Sequence, residues 1–184
     1  TEVAEIAVAA GADWLCVNSL EEATGLREAG RDGPVLVMGY VPLDGLSAVV
    51  EHDLRPVVYR PETLERLEPL AAEAGKIVRV HLKVETGTYR QGIEPADLPR
   101  FAGLIERSPH LVLEGISTHF ANIEDTTDHT YAESQYRRFA EAEETLSSAG
   151  QPPELRHAAC SAAALLFTRT HLDLVRIGIS LYGL

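Results

Sequence analysis

The sequence predicts an α/β fold, a (β/α)8 TIM barrel that is incomplete, and two observations carry that expectation. The first is an alternation of short β-branched runs with longer helical patterns that persists along all 184 residues. The second is a parity of polar residues on the strands. A doubly wound sheet is covered by helices on both faces, so its central strands are apolar on both parities. Here the run from Val78 puts Arg79, His81 and Lys83 on one side, and Val80, Leu82 and Val84 on the other. The run from Leu113 puts Gly115, Ser117 and His119 on its polar side, and the run from Leu174 does the same with Arg176 and Gly178. Small and polar residues on one shared face fit the lumen of a barrel whose upper layer is a functional site.

The elements follow in order. The sequence opens inside a helical pattern, TEVAEIAVAAG from Thr1, which in a barrel should follow a strand. Strands are expected at Trp14 to Val17, Val35 to Gly39, Pro56 to Tyr59, Val78 to Val84, Leu113 to His119, Leu155 to Ala159 and Leu174 to Ile177. Between them, helices are expected at Leu20 to Ala29, Pro61 to Ala74 and Tyr131 to Ala149. The last of these carries Tyr136, Phe139, Ala140 and Leu146 at helical spacing. Gly30, Gly75 and Gly150 mark helix ends, and Pro61 suits a first helical turn. This gives about seven βα units where a barrel has eight, so the first strand is expected to be missing and residues 1–184 to form one truncated barrel domain.

Composition narrows the function classes. An apolar content of 45% with scattered charge reads as an ordinary globular protein, and the formal charge of −12 disfavours a nucleic-acid or anionic-membrane surface. No run is apolar for the length of a membrane helix. The two cysteines, Cys16 and Cys160, have neither CxxC spacing nor a histidine pair beside them, which argues against a disulfide framework and a metal site, and for a reducing, cytoplasmic compartment.

In a barrel the functional groups lie at the carboxyl ends of the strands and in the loops after them. Those positions hold Asn18, Tyr40, Tyr59, Lys83, Arg90, His119, Ser161 and Arg176, then Gly178 and Ile179. The set is rich in cations and donors, so an anion with several acceptor atoms is the expected guest. ACSAAAL and VRIGISLYG each combine small residues with backbone amides at a turn, the arrangement that holds a phosphate in many barrels.

Five blocks carry a resemblance: VNSLEEATGLREAG, LKVETGTYRQG, THFAN, HAACSAAAL and VRIGISLYG. In this order and with barrel spacing the sequence resembles the barrel domain of alanine racemases, enzymes of the fold-type III pyridoxal-phosphate class. The resemblance implies an isomerase that uses pyridoxal 5'-phosphate to interconvert L- and D-alanine, in the cytoplasm, for D-alanine biosynthesis and the cell wall. It implies that Arg176 meets the cofactor's pyridine nitrogen and that Ser161, Gly178 and Ile179 contact its phosphate. Arg90 is the arginine near the phenolic oxygen, His119 the histidine beside the ring, and Lys83 the lysine that many members carry as a carbamate.

The resemblance also implies what lies elsewhere. The lysine that holds the cofactor covalently belongs to the family's first strand, and the opposing tyrosine to a second, mostly β domain contributed by the partner of a homodimer. Neither block occurs in this sequence, so the chain alone is expected not to racemise. The family's usual methionine and glycine before the arginine are Thr88 and Tyr89 here, and its usual asparagine before the serine is Cys160. These departures leave serine, lysine or ornithine as alternative substrates, and a non-catalytic cofactor-binding barrel as the alternative function. Simpler roles compete for single residues: Arg176 paired with Asp173, Ser161 as a helix cap, and Lys83 bridged to Glu85 or Glu114. For His119 an orienting role is expected ahead of proton transfer. Tyr40 and Tyr59 are expected at the rim, His157 and Cys160 without chemistry, and Glu141 to Glu144 on a solvated helix face.

Overall fold

The computed structural model describes residues 2–183; Thr1 and Leu184 lie outside the described residues. Seven α-helices and six strands alternate among the described residues: α1 (Glu2–Ala9), β1 (Leu15–Val17), α2 (Leu20–Glu28), β2 (Val35–Val37), α3 (Leu46–Glu51), β3 (Arg55–Val58), α4 (Pro61–Ala74), β4 (Val78–Lys83), α5 (Leu98–Glu106), β5 (Leu111–Ser117), α6 (Thr130–Ser148), β6 (Leu155–His157) and α7 (Ser161–Leu166). The sheet runs β1-β2-β3-β4-β5-β6, in chain order. A doubly wound sheet reverses its order at a switch point, whereas a barrel adds each strand beside the last, so the order is the barrel's.

The chain divides into two compact units, residues 2–80 with 108–112 and residues 81–107 with 113–183. In the first, β1 pairs with β2 and β2 with β3, all parallel. Val35, Leu36 and Val37 of β2 are fully buried on both parities, as a central parallel strand requires. Helix α2 begins with a reciprocal capping box, in which the Ser19 hydroxyl accepts from the Glu22 amide and the Glu22 carboxylate accepts from the Ser19 amide. Pro61 opens α4 and Gly75 closes it in the left-handed region at φ 62°, both as expected. Arg27 ties the unit together through backbone carbonyls, donating to His52 at 2.9 Å, Gly33 at 2.8 Å and Asp53 at 3.2 Å.

In the second unit, β5 and β6 pair in parallel, with Gly115 opposite Leu155 and Ser117 opposite His157. Helix α6 is the brace. Its buried residues are Ala132, Gln135, Phe139, Ala142 and Leu146; of the four residues at helical spacing, Ala140 is exposed and Tyr136 half-buried. The stripe turns towards Gln135 because that amide has bonds to make. Gln135 accepts from the Ala121 amide at 3.0 Å and donates to the His119 carbonyl at 3.1 Å and the Thr86 hydroxyl at 3.3 Å. Arg138 donates to the Thr86 carbonyl at 2.9 Å, and the Tyr131 hydroxyl to that of Gly87 at 2.8 Å. One helix thereby fixes the loops that follow β4 and β5, the loops that carry the expected functional groups.

The expected seventh strand, Leu174 to Ile177, is irregular. Its backbone does follow β6: the Asp173 amide donates to the Arg156 carbonyl at 3.2 Å and the Arg176 amide to that of Ala159 at 3.0 Å. Those donors are three residues apart, whereas a parallel ladder repeats every two, so no strand register forms. Six strands therefore stand where seven were expected, at the end of the sheet order that the fold class leaves open.

Candidate functional site

Every residue of the site below belongs to the second unit. Lys83 ends β4, and the chain then turns sharply through residues 84–92. The turn is closed at its base, where the Ile93 amide donates to the Lys83 carbonyl at 2.8 Å and the Glu85 amide to that of Ile93 at 2.9 Å. Inside it, the Glu85 carboxylate accepts from the amides of Gly87 at 2.5 Å and Thr88 at 2.7 Å. Burial alone would raise this carboxyl; the amides of Tyr89, Gly87, Thr88 and Arg90 more than reverse that and hold it below its ordinary value. Gly87 and Gly92 take φ of 141° and 156°, and Tyr89 sits in the left-handed region at 51°, a costly conformation for a tyrosine. At Gly92 the tightness is absolute, since a Cβ would lie 2.4 Å from the Glu85 nitrogen. The product of this geometry is an exposed Arg90 held at a defined distance from the strand end.

Lys83 does not bridge to Glu85 or Glu114 as the simpler reading had it. Glu85 is committed to the turn, Glu114 accepts from a histidine, and Lys83 Nζ donates to Gln91 Oε1 at 3.1 Å. Burial, then the guanidinium groups of Arg90 and Arg176, push the Lys83 amine down to about 8, against a smaller opposing effect of Glu85. His119, just beyond β5, is pushed down to about 4 by burial and by the charges of Arg176, Arg90 and Lys83. At neutral pH it is an uncharged imidazole among three cationic side chains.

Arg176 is fastened by four acceptors. One terminal nitrogen donates to His157 Nδ1 at 2.6 Å and to the His157 carbonyl at 2.8 Å; the other donates to the carbonyls of Thr118 at 2.7 Å and Ala158 at 3.1 Å. The alternative pairing with Asp173 fails because Asp173 is taken by Arg156, whose Nε lies 2.7 Å from its carboxylate. Ser161 does not cap α7; Cys160 occupies the cap position without a side-chain bond, and the Ser161 hydroxyl instead accepts from the amides of Gly178 at 3.1 Å and Ser180 at 3.3 Å. Two backbone donors and a hydroxyl thus converge at one point, with Ile179 exposed between them. A Cβ on Gly178 would meet nothing within 4 Å, so the approach to this point is open.

The chain matches the family model described as alanine racemase, N-terminal domain, over residues 1–184. It belongs to that family. The alanine racemase of Symbiobacterium thermophilum is 40% identical over 182 residues, which cover 99% of this chain and 48% of the relative. That of Geobacillus kaustophilus is 40% identical over 184 residues, 100% of this chain and 47% of the relative. Among solved structures, the alanine racemase of D-cycloserine-producing Streptomyces lavendulae superposes with a TM-score of 0.93 at 32% identity, over 98% of this chain and 48% of that one. The Bacillus anthracis alanine racemase, solved with bound L-Ala-P, gives 0.91 at 36% identity, over 98% and 47%. The chain spans about half the length of the relatives it matches, and the family fold is the incomplete barrel that the strand parity predicts.

The structure brings Lys83, Arg90, His119, Ser161, Arg176, Gly178 and Ile179 into one unit. Asn18, Tyr40 and Tyr59 belong to the other, where the Asn18 amide donates to Glu22 at 2.7 Å and Arg60 lies 5.6 Å over the Tyr40 ring. Sequence reasoning missed Glu85, which organises the turn, and His157, to which it gave no chemistry. A histidine opening the small-residue block HAACSAAAL was the available signal for the second.

Proposed function

We propose that the protein to which this chain belongs is a pyridoxal-phosphate-dependent isomerase that interconverts L- and D-alanine, with residues 1–184 as its cofactor-holding domain. The observation that carries this reading is the gathering of Lys83, Arg90 and Arg176 around a neutral His119, in the same unit as the converged donors at Ser161. The donor set fits the cofactor's chemistry: a phosphate, a phenolic oxygen and a ring nitrogen are all acceptors, and each has a matching donor here. Ser161 with the amides of Gly178, Ile179 and Ser180 would hold the phosphate, Arg90 the phenolic oxygen and Arg176 the ring nitrogen.

When bound, the cofactor supplies an electron sink that eases removal of the α-proton of an amino acid. The rest is the work of this chain's residues. Arg176 presents a guanidinium that keeps its own proton, so a ring nitrogen beside it stays unprotonated and the electron sink is moderated. His119 adds a flat, uncharged wall and orients the ring without adding a fourth cation. Lys83, with an amine pushed down to about 8, has a neutral fraction able to attack dissolved carbon dioxide. The N–C bond forms, one proton leaves to water, and the carbamate anion offsets the repulsion between Lys83 and Arg90. Thr88 and Tyr89, beside Arg90, bear on which amino acid is admitted.

The L-Ala-P bound to the Bacillus anthracis relative and the cycloserine bound to that of Clostridium difficile support a small amino-acid-like guest. The homodimer that contributes the second base, the cytoplasmic location and the role in D-alanine supply for the cell wall belong to the same proposal. No helix among the described residues is long and apolar enough to cross a membrane. The test is to load the full-length protein with cofactor and follow a panel of L-amino acids by chiral chromatography. D-alanine is expected. Conversion of serine, lysine or ornithine instead moves the protein within the racemases, and tight cofactor binding without conversion of any amino acid favours the non-catalytic barrel.

A further inference from the structure

Behind Arg176 lies a row of buried polar side chains that the proposed reaction does not use. His157 is 1% exposed and His81 0%; the other buried positions of β4 are Val78, Val80 and Leu82, and His157 is the buried residue of β6. His157 Nε2 and His81 Nδ1 are 2.8 Å apart, and His81 Nε2 is 3.0 Å from the Glu114 carboxylate. The imidazoles meet edge-on, with planes at 64° and centroids 5.0 Å apart, as in-plane N–H donation requires and ring stacking would not. We propose that Glu114, His81 and His157 form a hydrogen-bond chain of one fixed direction that positions the Arg176 guanidinium, with Glu114 as its anionic end.

The direction follows from the donor inventory. A guanidinium only donates, so His157 Nδ1, 2.6 Å from it, must accept. The ring proton of neutral His157 is then on Nε2 and is donated to His81 Nδ1. His81 in turn carries its proton on Nε2 and donates it to Glu114, a carboxylate that only accepts. Every nitrogen is satisfied in this arrangement and in no other: a second proton on His157 would face the Arg176 donors, and one on His81 would face the His157 donor. Burial, then the charges of Arg176 and Lys83, hold His157 well below its ordinary value, which agrees with its being neutral.

The fold has made room for this row. Glu114 and Gly115 are neighbours on β5, and a Cβ on Gly115 would lie 2.3 Å from His81 Nδ1 and 2.5 Å from its Cε1. β5 therefore supplies both the terminal acceptor and the space in which the middle ring lies. The row is not a metal centre, since no group of three or more His, Cys, Asp or Glu among the described residues could hold an ion. Its effect is on Arg176. A polarised acceptor at His157 fixes the plane of the guanidinium, so Glu114, His81 and His157 are positioning residues for it. Their bearing on the cofactor rests on the proposed role of Arg176.

Histidine nitrogen NMR on the 15N-labelled full-length protein tests the chain directly, with signals assigned by their loss in His81→Gln and His157→Gln. Both rings are expected neutral with the proton on Nε2. In Glu114→Leu the terminal acceptor is gone, so the His81 Nε2–H signal should move from its hydrogen-bonded position towards that of a free ring N–H, while Arg176 still holds both tautomers. Glu114→Gln, which keeps a carbonyl acceptor, should restore the wild-type pattern. A proton on Nδ1 of either ring in the wild type, or a His81 Nε2–H signal indifferent to Glu114→Leu, overturns the proposal, and the wild-type spectrum decides even if the variants fail to fold. Cofactor affinity separates this inference from the reading it rests on: Glu114→Leu should bind pyridoxal phosphate about tenfold more weakly, with Gln recovering most of the loss. A His81 signal that responds while affinity does not would uphold the chain and overturn the role of Arg176.

Discussion

His119 should stay uncharged well below the pH at which an ordinary imidazole takes up its proton. Its value falls from 6.5 to about 4 through burial, then the charges of Arg176, Arg90 and Lys83. Such a fall corresponds to a ceiling of roughly 3 kcal/mol against protonating the folded form, and solvent screening of the exposed part of the ring reduces this to about 2 kcal/mol. Above 6.5 the ring is neutral in folded and unfolded chains alike, and it contributes no pH dependence. Between 6.5 and about 4 the unfolded chain binds a proton that the folded chain does not, so stability falls as the pH falls through that window. Urea unfolding of wild type and His119→Gln, compared at neutral pH and near pH 4, isolates the contribution: the wild type should lose about 2 kcal/mol more than the variant. An NMR titration in carbonate-free buffer, where Lys83 is a plain amine, should place the wild-type ring near 4, and Arg90→Gln should move it upward by removing one cation. A wild-type His119 that titrates near 6.5 refutes the gathering of cations on which the site reading depends.

Ser161→Ala removes the hydroxyl on which the Gly178 and Ser180 amides converge, and should weaken cofactor binding in equilibrium dialysis about tenfold; unchanged affinity removes the phosphate from this point. With 13C-bicarbonate, a carbamate carbonyl signal is expected from the wild type and not from Lys83→Arg, and its absence from both would leave Lys83 a plain amine. Gly92→Ala forces a Cβ to within 2.4 Å of the Glu85 nitrogen at φ 156° and should cost about 2–4 kcal/mol in a melting experiment. Gly150→Ala, at φ 77° with nothing within 4 Å, should cost about 1 kcal/mol; equal losses would show that the Gly92 turn is less tightly closed than its geometry requires.

Local rules were legible in the sequence wherever the determinant lies within a few residues. Pro61 opens a helix and Gly75 ends one, because each acts on its own backbone. The alternation of Val80, Leu82 and Val84 with Arg79, His81 and Lys83 also held: the first set is fully buried, while the second grades from an exposed Arg79 through a buried His81 to a half-buried Lys83. What failed depends on partners far along the chain. Leu174 to Ile177 has a strand's composition, but a strand needs a ladder, and its amides meet β6 at the wrong interval. Ala140 and Gln135 exchange places on α6 because the buried amide answers Thr86, His119 and Ala121, which a helical wheel does not contain. His81 and His157 are 76 residues apart, and it is the parallel register of β5 with β6, with Ser117 opposite His157, that brings the second within reach of the first.

The proposed racemisation of alanine by the full-length protein requires exchange of the α-proton. Incubating the cofactor-loaded full-length protein with L-alanine in deuterated water tests it most directly. Loss of the α-proton signal should accompany the appearance of D-alanine carrying deuterium at Cα, and both should slow severely in Arg176→Ala. Retention of the α-proton by a cofactor-saturated protein, with the alanine remaining wholly in the L form, would contradict the account.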